Sequence, residues 1–129
     1  MVVVGRFPFI PKVRRAAGHL DVLELDPGLG ELATEAAAKV MPQANVAALT
    51  GASLVNKTFE DLVPHCRPGA FVLMLGPTSP LSPVLFDYGV DMIAGTQIVD
   101  SLEAMRVAGQ GAIFRQMRGV RLGTMSKEP

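Results

Sequence analysis

Phe71-Val72-Leu73-Met74-Leu75-Gly76-Pro77-Thr78-Ser79-Pro80 sets five apolar residues in a row, then stops them with glycine, proline and hydroxyl residues. A strand with one wet face alternates apolar and polar side chains. A run without alternation, bounded by turn residues, suits a sheet covered on both faces. The same pattern recurs at Val2-Val3-Val4, Val22-Leu23-Glu24-Leu25, Val46-Ala47-Ala48-Leu49 and, more briefly, Met92-Ile93-Ala94. Segments long enough for a helix separate these runs, which implies parallel strands joined by right-handed crossovers.

The intervening segments carry helical signals. Ile10 to Ala17 opens near Pro11 and closes at Gly18, read as a left-handed cap. Leu32, Ala36 and Val40 recur every four residues, Glu35 can pair with Lys39, and Pro42 stops the helix. Val55, Phe59 and Leu62 make one apolar stripe ended by Pro64, and Ser82 to Phe86 reads as a short helical turn. Asp100-Ser101-Leu102-Glu103 looks like an acidic capping box before a helix with Leu102, Met105 and Ala108 facing inward. From Gly109 the pattern weakens. Arg115, Arg118 and Arg121 alternate loosely with Phe114, Met117 and Val120, as in an edge strand or hairpin whose charges block strand-on-strand association. Ser126 to Pro129 is expected to fray. The expected fold is α/β: one Rossmann-like αβα domain over 1–129, with a doubly wound, mostly parallel sheet of five or six strands.

Composition narrows the function classes. Of 129 residues, 49% are hydrophobic and 19% charged, with Lys+Arg at 12 and Asp+Glu at 12. Such a chain is too apolar and too neutral for disorder, and it carries no net charge to attract a nucleic acid. No apolar run approaches the roughly 20 residues of a membrane span. The single cysteine, Cys66, cannot form an internal disulfide, and no Cys-x-x-Cys pair exists, so a reducing, cytoplasmic setting is expected. Met1 leads straight into the first strand, with no basic n-region or cleavage site. So abrupt a start predicts a fragment, or the C-terminal half of a longer two-domain protein.

Ligands of open α/β sheets bind outside the carboxyl ends of the strands. Those ends carry Gly5-Arg6-Phe7-Pro8-Phe9, Glu24-Leu25-Asp26-Pro27-Gly28, Thr50-Gly51-Ala52-Ser53, Gly76-Pro77-Thr78-Ser79-Pro80 and Gly95-Thr96. Short turns favour such residues anyway, yet as a set they suggest a pocket. Phe7 and Pro8 would line an apolar wall, and Glu24 or Asp26 would accept hydroxyl hydrogens. Thr50, Gly51 and Thr78 would meet an anion, with Gly5, Gly76, Pro77 and Gly95 beside them and Asn56 and Lys57 in support. The amides opening the helix after Thr50 are a plausible anion site, although Gly51 to Lys57 lacks the second glycine of a Walker loop. A dinucleotide fingerprint fails: Glu24 and Asp26 lie at the right distance from Gly5, but Phe7 and Ile10 stand where glycines belong. NAD and FAD are disfavoured; S-adenosylmethionine or a mononucleotide is not. Metal ligands are scarce. His19 suits a helix end, and the adjacent His65 and Cys66 point different ways. Asp87, Asp91 and Asp100 suit capping, and no nucleophile–base pair is recognisable, so catalytic and metal residues stay unassigned.

The loop sequences resemble a family. Gly5-Arg6-Phe7-Pro8-Phe9, Leu49-Thr50-Gly51-Ala52-Ser53-Leu54-Val55-Asn56-Lys57-Thr58 and Leu75-Gly76-Pro77-Thr78-Ser79-Pro80-Leu81-Ser82-Pro83 are similar to the C-terminal domain of the putative heavy-metal chelation family, and the resemblance extends over nearly the whole chain. It implies a Rossmann-like domain that follows one similar to the N-terminal domain of enolase, with a candidate site between them. The resemblance covers only the second of these two domains. No thiolate or histidine cluster is evident, so a metal would arrive inside an organic chelate. The expected function is binding of a small anionic ligand or metal complex. The alternatives are a transferase or lyase completed by the N-terminal domain, and a homo-oligomeric assembly module using the Thr78 to Pro83 loop and the basic tail.

Overall fold

The computed structural model describes residues 1–128. The chain runs β1 (Val2–Val4), α1 (Ile10–Ala16), β2 (Asp21–Glu24), β3 (Leu32–Ala33), α2 (Ala37–Val40), β4 (Val46–Thr50), α3 (Ala52–Val55), α4 (Phe59–Leu62), β5 (Phe71–Leu75), α5 (Val84–Asp87), β6 (Met92–Ile98), α6 (Ser101–Gly109) and β7 (Val120–Ser126). The strands form one sheet in the order β3-β2-β1-β4-β5-β6-β7. All neighbours pair in parallel except β6 with β7, which are antiparallel. This is the expected doubly wound α/β fold, with seven strands instead of five or six.

Alternation along the central strands splits the core in two. Val2, Val4, Leu23, Leu49, Met74 and Ile93 face Met41, Phe59, Leu62 and Leu85 of the helices on one side. Val3, Val22, Ala48 and Leu75 face the other side, where Ile10 and Val13 of α1 cover them. The unalternated sequence runs follow directly from this double burial.

The helices depart further from expectation. Leu32 and Ala33 pair with β2 as a short strand, so the Leu32-Ala36-Val40 stripe is not a single helix. Glu35 and Lys39 form no ion pair among the described residues. The stripe Val55-Phe59-Leu62 is broken at Lys57, whose φ of 63° ends α3; Val55 is left 74% exposed while Phe59 and Leu62 are buried. α1 closes at Ala17, which turns extended, and Gly18 does not take the left-handed conformation. In α6, Asp100 caps the helix by accepting from the Glu103 amide at 3.0 Å. The buried residues there are Ala104 and Val107, whereas Leu102 and Met105 face water. Of the tail, Pro129 lies outside the described residues; β7 takes in Arg121, which donates to Gln97 across the pair, but neither Arg115 nor Arg118.

One contact organises the sheet's carboxyl edge. Strand register places Gly51, Gly76, Gly95 and Gly123 side by side across four strands. The Gly76–Pro83 loop folds back over this row, burying Ser79 to 2% exposure. A Cβ on Gly51 would lie 2.6 Å from Ser79 Cα, and one on Gly95 would collide with the Ser79 carbonyl. Neither neighbour can yield, because both are backbone.

Gly51→Ala and Gly95→Ala are each expected to cost about 3 kcal/mol or more in urea denaturation, since overpacking against backbone sits at the upper end of its usual range. Gly109→Ala has no atom near its would-be Cβ and should change stability by less than about 1 kcal/mol. Equal effects at all three positions would remove the glycine row as the seat of the loop.

Candidate functional site

The order of the sheet reverses between β1 and β4, since the chain moves outward from β1 in one direction to β2 and in the other to β4. At such a point the loops leaving the two strands diverge and open a crevice. A cleft of about 290 Å³ lies there, lined by Val4, Gly5, Arg6, Leu23, Glu24, Leu25, Thr34, Thr50, Ala52, Asn56 and Thr58. Gly5 leaves β1 with φ 114°, and a Cβ there would meet Thr50 Cβ at 2.9 Å. The cleft floor is therefore backbone and small side chains.

Several polar groups around it are already engaged. Arg6 donates to both carboxylate oxygens of Glu31, at 3.0 and 2.6 Å, and to the Asp26 carbonyl at 3.2 Å. Glu31 also accepts from the Gly28 amide at 2.7 Å. The Arg6 hydrogen bonds and then the Gly28 amide hold the Glu31 carboxyl down at about 2. This latch ties the loop after β1 to the loop after β2 along one lip of the cleft.

The opposite lip is self-capped. Thr50 Oγ1 accepts from the Ala52 amide at 3.3 Å, and the Gly51 amide donates to the Leu75 carbonyl at 3.0 Å. α3 is a single turn of four residues. The anion site expected at Thr50 and Gly51 therefore has its first two amides committed, and only one turn of helix stands behind it. Asn56 Oδ1 accepts from both the amide and the hydroxyl of Thr58, at 3.2 and 2.7 Å. Glu24, Thr34 and the Asn56 NH2 group make no side-chain hydrogen bond among the described residues.

A second depression of about 480 Å³ lies on the same edge, over β5, β6 and β7. Phe7, Phe9, Leu75, Pro77, Ala94, Leu122 and Thr124 border it, with Gly76, Gly95 and Gly123 in its floor. Phe7 and Phe9 stack with ring centroids 5.0 Å apart and 13° between planes. Phe7 thus walls this trough and leaves the cleft open.

The sequence-derived residues divide accordingly. Gly5, Glu24, Thr50 and Asn56 meet at the cleft, while Phe7, Gly76, Pro77 and Gly95 meet at the trough. Pro8, Asp26, Gly51, Lys57 and Thr78 line neither; Lys57 borders a separate hollow beside Phe59 and Glu60. Arg6, Glu31, Leu25 and Thr34 were not singled out by sequence reasoning. The acid seven residues after Glu24, in a loop facing an arginine after β1, is the one signal that could have found the latch.

No bare-ion site accompanies these clefts. Among the described residues, no three His, Cys, Asp or Glu side chains come together as a ligand set. Burial, and then the charge of Asp91, pushes the Cys66 thiol up from its ordinary value, which disfavours the thiolate that soft metals need. His19 is engaged with Asp21 at 3.0 Å. These residues do not fit a resident heavy metal.

A family model described as DUF364, "Putative heavy-metal chelation", matches residues 1–125. A crystal structure of a DUF364 protein of unknown function from Desulfitobacterium hafniense is 28% identical, with a TM-score of 0.85; the match covers 98% of this chain and 52% of that one. A second, from Pyrococcus horikoshii, shares 14% identity and a TM-score of 0.85, covering 98% of this chain and 53% of that one, and shows the common fold. The chain thus spans about half the length of these solved relatives. No curated protein matches it.

The latch makes stability depend on pH with a defined sign. A carboxyl lowered from 4.5 to about 2 stabilises the fold fully above about pH 5, and that contribution is lost as pH falls toward 2. The difference in urea midpoint between the wild type and Glu31→Gln should therefore be largest above about pH 5, shrink as pH falls, and vanish only below about pH 2. A difference independent of pH would mean that Glu31 acts through packing alone.

Proposed function

The chain belongs to the DUF364 family, and on that footing we propose that it binds a small polar organic molecule in the cleft between β1, β2 and β4. The supporting observation is a crevice of about 290 Å³ at the sheet's reversal point that retains uncommitted hydrogen-bonding groups on Glu24, Thr34 and Asn56. That volume is at the lower end of ligand pockets, which favours a single compact ligand over a dinucleotide.

A metal would enter as cargo within an organic chelator, because the described residues offer no ligand set for a free ion. Oxygen-rich chelators present hydroxyl, carbonyl and carboxylate groups. The Asn56 NH2 group and the Thr34 and Thr50 hydroxyls can donate to all of these, while Glu24 accepts only from hydroxyls or amines. A small anionic ligand fits less well, since Arg6 is the cation bordering the cleft and Glu31 occupies it.

A second reading is favoured by length. The solved relatives carry about as much chain again, and cleft and trough open on the same edge of the sheet. A transferase or lyase whose acid or base comes from another domain would use that edge as one wall of a shared site.

Thermal unfolding with metal–citrate complexes, S-adenosylmethionine, mononucleotides and bare Ni2+, Cu2+ and Zn2+ tests the first reading. A ligand at a hundredfold excess over its Kd adds about 2.7 kcal/mol, a shift of several degrees for a domain of this size. At least one organic compound should give such a shift, and Glu24→Gln or Asn56→Ala should abolish it. A response to bare ions only, or to nothing in the panel, overturns the reading.

A further inference from the structure

We propose that the cleft recognises the cis-diol of a nucleoside, with Glu24 accepting both ribose hydroxyls and Leu25 supporting the base. The inference rests on the cleft being the binding site and adds the chemical class of what it holds.

Three acids stand near the loop after β2, and they differ in what they have left to offer. Glu31 is consumed by Arg6 and the Gly28 amide. Asp26 is exposed and lies outside the cleft lining. Glu24, half-buried at the very tip of β2, borders the cleft and its carboxylate accepts no hydrogen bond among the described residues. An ionised carboxylate is an acceptor only, with two oxygens and about four lone-pair sites. Adjacent hydroxyls supply two donors at matching separation, and in sheets of this order an acid at the end of the second strand does bind ribose.

The charge around the cleft argues against a free anion. Glu24 repels one, Arg6 is neutralised by its pairing, and the Gly51 and Ala52 amides are committed. Uncharged hydroxyls suffer no such repulsion. Thr34 and the Asn56 NH2 group remain available for ring oxygens and base nitrogens.

Leu25 supplies the second feature. It follows Glu24 directly, borders the cleft, and is 65% exposed. Ala52 stands on the opposite lip. A flat heteroaromatic base laid against Leu25 would remove that apolar side chain from water while the sugar meets Glu24. Such a ligand is apolar at one end and hydroxylated at the other, as the cleft is.

The test uses the 129-residue chain and two-dimensional amide NMR titration with adenosine, guanosine, cytidine and uridine, each beside its 2′-deoxy counterpart, and with citrate and inorganic phosphate as anion probes. At least one ribonucleoside should shift the amides of Glu24, Leu25, Thr50 and Asn56, and its 2′-deoxy form should bind at least tenfold more weakly. Glu24→Gln should reduce that discrimination to about onefold with the melting temperature unchanged. A purely structural role for Glu24 would instead weaken both forms equally. Equal binding of ribo and deoxy forms overturns the diol proposal. Shifts at the cleft by citrate or phosphate alone overturn it too, but leave the cleft as a binding site. Silence from every probe overturns both.

Discussion

Ser79 lies against the end of β4 and the middle of β6 at a separation that only glycine allows. Because the bodies in contact are main chain on both sides, the fit has no slack: Gly51 and Gly95 set how closely the Gly76–Pro83 loop approaches. That loop determines where β5 is left behind and where α5 begins, and hence how the carboxyl edge is partitioned. The fit has a local penalty, since the Ser79 hydroxyl is buried with no hydrogen-bond partner among the described residues. An unsatisfied buried hydroxyl costs about 1–3 kcal/mol. The loop's apolar neighbours, Leu81 half-buried and Leu85 buried, act against it.

The partition gives a mixed polar and apolar cleft and an almost wholly apolar trough on one edge. To one side of Phe7, the cleft is bordered by a carboxylate, hydroxyls and an amide; to the other, the trough is bordered by aromatic rings, leucines and glycine backbone. An unpaired Arg6 would make the cleft an anion trap. Its guanidinium is instead spent on a carboxylate 25 residues away, where it clips one loop to another.

The strands were legible because burial on both faces writes an unbroken apolar run, and burial on both faces is what the fold imposes on β1, β4 and β5. The helices were legible only in part: α1 and the Asp100 cap of α6 were read correctly, and the misreadings have reasons visible residue by residue. Leu32 gave a helical spacing but found a strand partner in Leu23. Lys57 carries no mark of its left-handed backbone, yet it divides the Val55–Leu62 stripe. In α6 the small residue Ala104 is buried, and the larger Leu102 and Met105 are turned out. Of the candidate site, Glu24 and Thr50 could be read from their positions at strand ends. The Arg6–Glu31 clasp could not, because it depends on the path of the loop between β2 and β3.

Strand β7 runs against its neighbours, and Ser126 consequently pairs with Met92 at the beginning of β6, on the same side of the molecule as Val2 at the beginning of β1. The sheet is about 16 Å tall at five residues per strand, so a tether, dye or fusion partner joined beside either of these residues departs from the base, a full sheet height from the cleft. An attachment beside either residue would leave the crevice facing free solution.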